Sequence, residues 1–196
     1  MNIIEIIKDY VINESNNYKD NSMDHYDYWN EHIKYVYEEA IKLANIYNAD
    51  IEIVSLGALL HDIALICKIG SRKDHHINGK LLAEQILTKY NYDKNKLDRV
   101  LGCVLNHRSS KNATNNEELC VADADILAHF DNIPMIINNG LNIYKIKKED
   151  INKWLLDGLE EEYNDLSDRT KLLFKDRYDK IINDIKKVGD NYGESI

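Results

Sequence analysis

Five of the seven histidines lie between positions 32 and 107 (His32, His61, His75, His76 and His107), and two carboxylates, Asp62 and Asp125, stand among them. The segment SLGALLHDIAL, residues 55–65, sets His61 and Asp62 at the end of an apolar run. Buried polar groups need hydrogen bonds, and buried charges need counter-charges or a metal. Asp125 poses the same problem inside VADADIL, because an aspartate flanked by apolar helical residues is unusual without a partner. Imidazole and carboxylate together make a ligand set for Mn²⁺, Fe²⁺, Co²⁺, Ni²⁺ or Zn²⁺, with Mg²⁺ the hardest candidate for the carboxylates. Neighbours on a helix point about 100° apart. His61 and Asp62 can therefore share a metal only at a helix end, or if the carboxylate reaches sideways to bridge, which fits a two-metal site.

Taken singly these residues say less. His32 or His107 alone reads as a hydrogen-bonded helix histidine, and Asp125 alone as a cap or ion-pair partner, with Asp123 an equal competitor. His76 reads as solvated or behind the ligands, His25 and His129 as outside the site, and Cys67 as a small core residue rather than a nucleophile. The joint pattern favours metal binding.

Helical spacing runs along the whole chain, without a strand-like alternation. Apolar residues at 3, 4, 7 and 11 predict a first amphipathic helix, followed by a polar loop over residues 14–30. A helix over about 31–47 carries Ile33, Val36, Tyr37, Ala40, Ile41 and Ala44 on one stripe. Asp50 is the expected N-cap of the next helix, through Val54, Leu59, Leu60 and Ile63. Residues 67–74, CKIGSRKD, form a basic loop, and helices follow at about 75–90, 94–106 and 117–130, the second capped by Asp93. Pro134 should end the last of these, since the residue before proline disfavours helix. Two amphipathic helices complete the chain, one with Ile151, Trp154, Leu155 and Leu159, the other opened by Ser167 and carrying Leu172, Leu173, Tyr178, Ile181 and Ile185.

The totals narrow the function classes. A chain of 196 residues with 44% hydrophobic and 30% charged residues suits one globular domain. The net charge of −9 repels polyanions and argues against nucleic acid as a partner. A small anion remains compatible, because a local cationic site outweighs distant surface charge. Three widely spaced cysteines, Cys67, Cys103 and Cys120, form no disulfide framework and point to a reducing cytoplasm. No run reaches the roughly 18 apolar residues of a membrane span.

The order His32, His61-Asp62, Asp125 resembles the HD superfamily of metal-dependent phosphohydrolases. EHIKYVYEEA looks like its first histidine helix, GALLHDIA like its HD helix and ADADIL like its final aspartate helix, which favours Asp125 over Asp123. DHHINGKLLAEQIL resembles a segment with a histidine four residues before a glycine, selecting His75 with Gly79 over His76, and His107 in LNHRSS matches a further histidine of the subgroup with extra ligands. The resemblance implies an all-α, HD-like bundle of about six to eight helices, with a core over about 24–130 and a C-terminal helical extension over about 140–190 in a single domain. It implies one metal on His32, His61, Asp62 and Asp125, and a second shared through Asp62 with His75 and His107, Asp62 being also the catalytic choice. Arg72, Lys73 and Arg108 are the expected phosphate ligands, with Lys34 and Lys80 as further options; arginine suits the task because its planar fork binds phosphate bidentately. The sequence reads HDIA where many members read HDIG, and Tyr35 stands where many carry arginine. No GYP motif is present, which argues against cyclic-di-GMP as substrate.

The expected activity is cytoplasmic, divalent-metal-dependent hydrolysis of a small phosphorylated molecule, with nucleotides among the candidates and manganese among the metals. The alternatives are a phosphodiesterase or nuclease, or a non-catalytic sensor that binds metal or nucleotide. Tyr26, Tyr28 and Trp29 are candidates to stack on a base, with packing the simpler role. Trp154 and the C-terminal apolar stripe fit a lid or the surface of a homodimer.

Overall fold

A computed structural model describes residues 2–193 of the chain. The described residues are helical, without strands, as an HD-like bundle requires. They fall into two compact units, one up to Ala128 and the other from His129.

In the first unit, α1 (Ile3–Asn21) is opened by Asn2, whose side-chain oxygen accepts from the Ile4 amide at 3.2 Å. It buries Ile7, Val11 and Ser15, one face at a spacing of four. The expected loop over residues 14–30 is thus helical as far as Asn21. Ser15 continues the stripe of Ile7 and Val11 as a buried polar residue, and its hydroxyl accepts from the Trp29 amide at 2.8 Å. A π-helical turn, Trp29–Ile33, then runs into α2 (Lys34–Tyr47), which ends at Asn48 in the left-handed conformation, φ 55°.

The centre of this unit is α3 (Ile51–Leu60), with Ile53 to Leu60 all buried. Asp50 caps it as expected, accepting from the amides of Glu52 and Ile53 at 3.0 and 3.4 Å. Each large aliphatic side chain withdrawn from water here contributes about 1.5–3 kcal/mol. Helix α3 packs against α1, α2 and α6. At Gly57 the approach to α6 is so close that a Cβ would stand 2.5 Å from that of Cys103. The helix stops at His61-Asp62, where Asp62 adopts φ −104°, ψ 14°, and a single turn, α4 (Ile63–Ile66), follows.

A 3-10 turn, Arg72–Asp74, leads into α5 (His75–Lys89); α6 (Lys94–Asn106) is capped by Asp93, and α7 spans Asn116–Asp131. Helix α5 packs on α4 and α6. A Cβ at Gly79 would lie 3.3 Å from Val104 Cγ1 and 3.4 Å from the His61 carbonyl, so the glycine lets the first turns of α5 lie against the helix end that carries His61.

The second unit contains α8 (Ile133–Asn142), α9 (Ile151–Asp165) and α10 (Asp168–Gly193). Helix α8 adds to the set read from sequence: Pro134 starts a helix directly after the end of another. Proline suits the first turn, where its missing N–H is not needed, and Asn132 caps that turn by accepting from the Met135 amide at 3.4 Å. Ser167 opens the last helix as expected, accepting from the Thr170 amide at 3.3 Å. Phe130, Phe174, Tyr163 and Tyr178 form an aromatic cluster in this unit, Tyr163 and Tyr178 stacked at 3.9 Å. Arg177 pairs there with Asp131, and His129 with Glu162 at 2.9 Å. Among the described residues no helix is long and apolar enough to cross a membrane.

Candidate metal centre

His32 stands on the π-helical turn before α2, a type of turn found often at functional sites. Asp27 holds this turn: its carboxylate accepts from the Asn30 amide at 3.1 Å, the Asn30 side chain at 3.0 Å and Lys19 Nζ at 2.9 Å. His61 and Asp62 come from the break after α3, His75 from the start of α5, His107 from the end of α6 and Asp125 from α7. All except Asp125 are buried, and Asp125 is half-buried.

Six of the residues singled out by sequence converge. His32 Nε2 lies 3.1 Å from both His61 Nε2 and Asp125 Oδ1, and 3.7 Å from Asp62 Oδ2. His61 Nε2 lies 3.6 Å from Asp62 Oδ2 and 3.8 Å from Asp125 Oδ1. The other oxygen of Asp62, Oδ1, faces His75 Nε2 at 3.2 Å and His107 Nε2 at 3.8 Å, and those two nitrogens are 2.9 Å apart. One carboxylate thus divides its oxygens between a group of four residues and a group of three. The helix break resolves the directional conflict between His61 and Asp62, because Asp62 leaves the path of α3.

The imidazoles are fixed from behind. His61 Nδ1 donates to the Ala58 carbonyl, His75 Nδ1 to the Arg72 carbonyl and His107 Nδ1 to the Val104 carbonyl, each at 2.7 Å. A carbonyl only accepts, so each Nδ1 carries a proton and each Nε2 turns inward. Lone pairs of His75 and His107 at 2.9 Å require a proton or a cation between them.

Burial and neighbouring charge act differently on the two rings. Burial disfavours charge on His75, but its hydrogen bond and attraction to Asp62 prevail and raise its pKa. Burial, reinforced by His61, pushes His107 down to about 4. Burial also works to raise both carboxyls, yet His61, His75, His32 and His107 hold Asp62 well below the usual range, and His32, His61 and His107 lower Asp125. Two ionised carboxylates face the inward Nε2 atoms, a donor set that suits a divalent cation. With metal–ligand bonds of about 2.0–2.2 Å, neighbouring ligands of one ion stand about 3.0–3.5 Å apart, near the separations found here. His32, His61 and Asp62 form one group able to hold an ion, and Asp62, His75 and His107 another.

Other candidates separate from the centre. Asp123, the competitor of Asp125, is fully buried and accepts from Ser110 Oγ at 2.5 Å. His76 is half-buried, its ring edge-on to His75 at 5.8 Å. His25 is exposed and its Nδ1 donates to the Lys19 carbonyl at 2.8 Å. Burial, with Glu14, pushes the Cys67 thiol up to about 11, which leaves it protonated at neutral pH. Arg72, Lys73 and Arg108 are exposed on the two loops beside His75 and His107, and Arg108 Nη1 donates to the Lys73 carbonyl at 3.0 Å. Tyr26 and Tyr28 meet edge-to-face at 4.7 Å; burial raises both hydroxyls, with the charge of Asp62 contributing, so both remain donors. Sequence reasoning missed Glu118, a buried carboxylate that fastens the loop carrying His107. Its signal was faint, because Glu117-Glu118 reads as the ordinary acidic first turn of a helix.

The HD domain family model matches residues 30–129, which contain all six converging residues. The fold is similar to Bacillus subtilis YpgQ in complex with ADP, with 20% identity, coverage of 96% of this chain and 97% of that one, and a TM-score of 0.68. It is similar as well to a predicted HD superfamily hydrolase from an uncultured Thermotogales bacterium, with 17% identity, 98% and 99% coverage and a TM-score of 0.65. At these identities the likeness is one of fold. No curated protein matches the sequence.

Proposed function

The chain belongs to the HD domain family, and from that premise we propose that it is a divalent-metal-dependent phosphohydrolase acting on a small phosphorylated molecule, nucleotides being the leading class. The observation that carries this reading is the division of Asp62 between the group of His32, His61 and Asp125 and the pair of His75 and His107. Divalent ions in such a centre supply Lewis acidity, polarising a phosphoryl oxygen and acidifying water at neutral pH.

The chain's own contribution is positional and electrostatic. The bonds to Ala58, Arg72 and Val104 fix the rings and their tautomers, so little reorganisation is needed when a cation enters. The neighbouring imidazoles keep Asp62 and Asp125 ionised, and the low pKa of His107 keeps its lone pair available. Arg108 commits one N–H to the Lys73 carbonyl, which orients the guanidinium and leaves the rest of its fork for a phosphate. Arg72 and Lys73 add positive charge on the neighbouring turn. Half-buried Tyr26 offers a phenolic donor and an aromatic ring near Asp62, with buried Tyr28 packed edge-on against it. Nucleotides lead because of these rings and because YpgQ, of the same fold, was crystallised with ADP.

The test measures phosphate and pyrophosphate release from nucleotides and sugar phosphates with added Mn²⁺, for wild type and Asp62→Ala in parallel. The expected result is metal-dependent release that falls below about 1% of wild type in the variant. Release that survives the substitution would overturn the site. A folded, metal-loaded wild type with no turnover across the panel would favour binding without hydrolysis.

A further inference from the structure

The start of α7 carries a second buried carboxylate with no place in the centre. Glu118 is 5% exposed, and its two oxygens are surrounded by neutral donors. Oε2 accepts from Asn106 Nδ2 at 3.0 Å, from the Thr114 amide at 2.8 Å and from Thr114 Oγ1 at 3.0 Å. Oε1 accepts from Asn115 Nδ2 at 2.9 Å, while the Glu118 amide donates to Asn115 Oδ1 at 3.0 Å. The chain therefore leaves α6 at Asn106 bound to this carboxylate and returns to it at Thr114. Between those points lie His107 and Arg108. Ser110, in the middle of the segment, is held in turn by Asp123. Helix α6 makes room for the arrangement, since a Cβ at Gly102 would stand 2.6 Å from Glu118 Oε1.

Burying a carboxylate is costly unless its lone pairs are matched. Here the matching donors come from both ends of one loop, a task for a group that only accepts and has two oxygens. His32, His61 and Asp62 belong to other elements, and Asp125 lies on α7 outside this loop. We infer that Glu118 is a positioning residue for the His107 half of the centre: by closing the 106–115 loop it sets affinity for the ion shared by Asp62, His75 and His107, leaving the ion of His32, His61, Asp62 and Asp125 unaffected. The inference rests on the two-ion reading above.

Its test is metal binding without substrate. Mn²⁺ titration of the metal-free full chain by calorimetry, with bound metal counted after gel filtration, should give two ions per wild-type chain in two affinity classes. Glu118→Ala should weaken one class at least about tenfold, as loss of supporting hydrogen bonds does elsewhere, and leave the other unchanged. Asn106→Ala, which removes one donor and spares the α7 side of the clamp, should weaken the same class less and keep the test available if Glu118→Ala fails to fold. Glu118→Gln keeps an oxygen toward Asn106 and Thr114 but turns a donor toward Asn115 Nδ2, and should recover only part of the loss. Equal weakening of both classes, or of neither, overturns the inference alone. A wild type that binds a single ion overturns the two-ion reading and the inference with it.

Discussion

Asp27 shows how a residue outside the centre governs one within it. It fastens the turn that presents His32 by accepting from Asn30 and Lys19. Burial tends to raise its carboxyl, but the Asn30 and Lys19 bonds prevail and hold it below the usual range. A depressed folded pKa means that the unfolded chain binds more protons in the interval between the two values. The stabilisation is therefore complete above about pH 4, the ordinary aspartate value, and is lost as pH falls through the folded pKa. Asp27→Asn should lower Tm by similar amounts at pH 7 and pH 5, with the gap to wild type closing only below about pH 4. Thermal melts of the pair across that range read this directly. Residue types marked His61, Asp62 and Asp125 as groups in apolar segments that demand partners, while the choice of Asp125 over Asp123, of His75 over His76, and of His107 came from the resemblance to the HD superfamily. Asp27, Ser15 and Glu118 were not legible in the same way. Each makes, beside any local bonds, one to a residue that helical spacing does not announce: Ser15 to Trp29, Asp27 to Lys19 and Glu118 to Asn106.

Among elements, α3 and α6 define how tightly the centre is framed. Gly57 marks a close approach between them, with the Cys103 Cβ where a new methyl would go. Gly57→Ala should destabilise by about 1–3 kcal/mol through overpacking. Gly158 sits exposed in α9, with nothing within 4 Å of an added Cβ. Gly158→Ala should stabilise by up to about 1 kcal/mol through helix propensity. Denaturant unfolding of the two variants checks both signs, and a shared sign would refute the packing argument. Most helices were legible from apolar spacing and from caps such as Asp50, Asp93 and Ser167. The end of α1 was not, since an Asn- and Asp-rich segment reads as loop when its single buried polar residue is unseen. Helix α8 was missed because Pro134 acts as a stop for one helix and a start for the next.

For the whole molecule, the centre joins the π-turn, α3, α5, α6 and α7, so loading it should stabilise the assembled fold. A ligand that binds only the folded form adds about 2.7 kcal/mol at one hundred times its Kd. Mn²⁺ should accordingly raise Tm of the chelator-treated protein, and Asp62→Ala should abolish most of the rise. An equal rise in the variant would place the ion elsewhere.

The carbonyls of Ala58, Arg72 and Val104 have a consequence of another kind. Each sits three residues before the histidine it holds, at the end of α3, in the turn before α5 and at the end of α6. A histidine free in solution exchanges its ring proton between both nitrogens; these three keep it on Nδ1 only when their own turn is built. The rings are thus native isotope reporters on three separate pieces of backbone. In nitrogen-15 spectra of labelled apoprotein, each should show a slowly exchanging Nδ1 proton that disappears when its own turn frays, so the order in which the scaffold comes apart can be followed without probe or substrate.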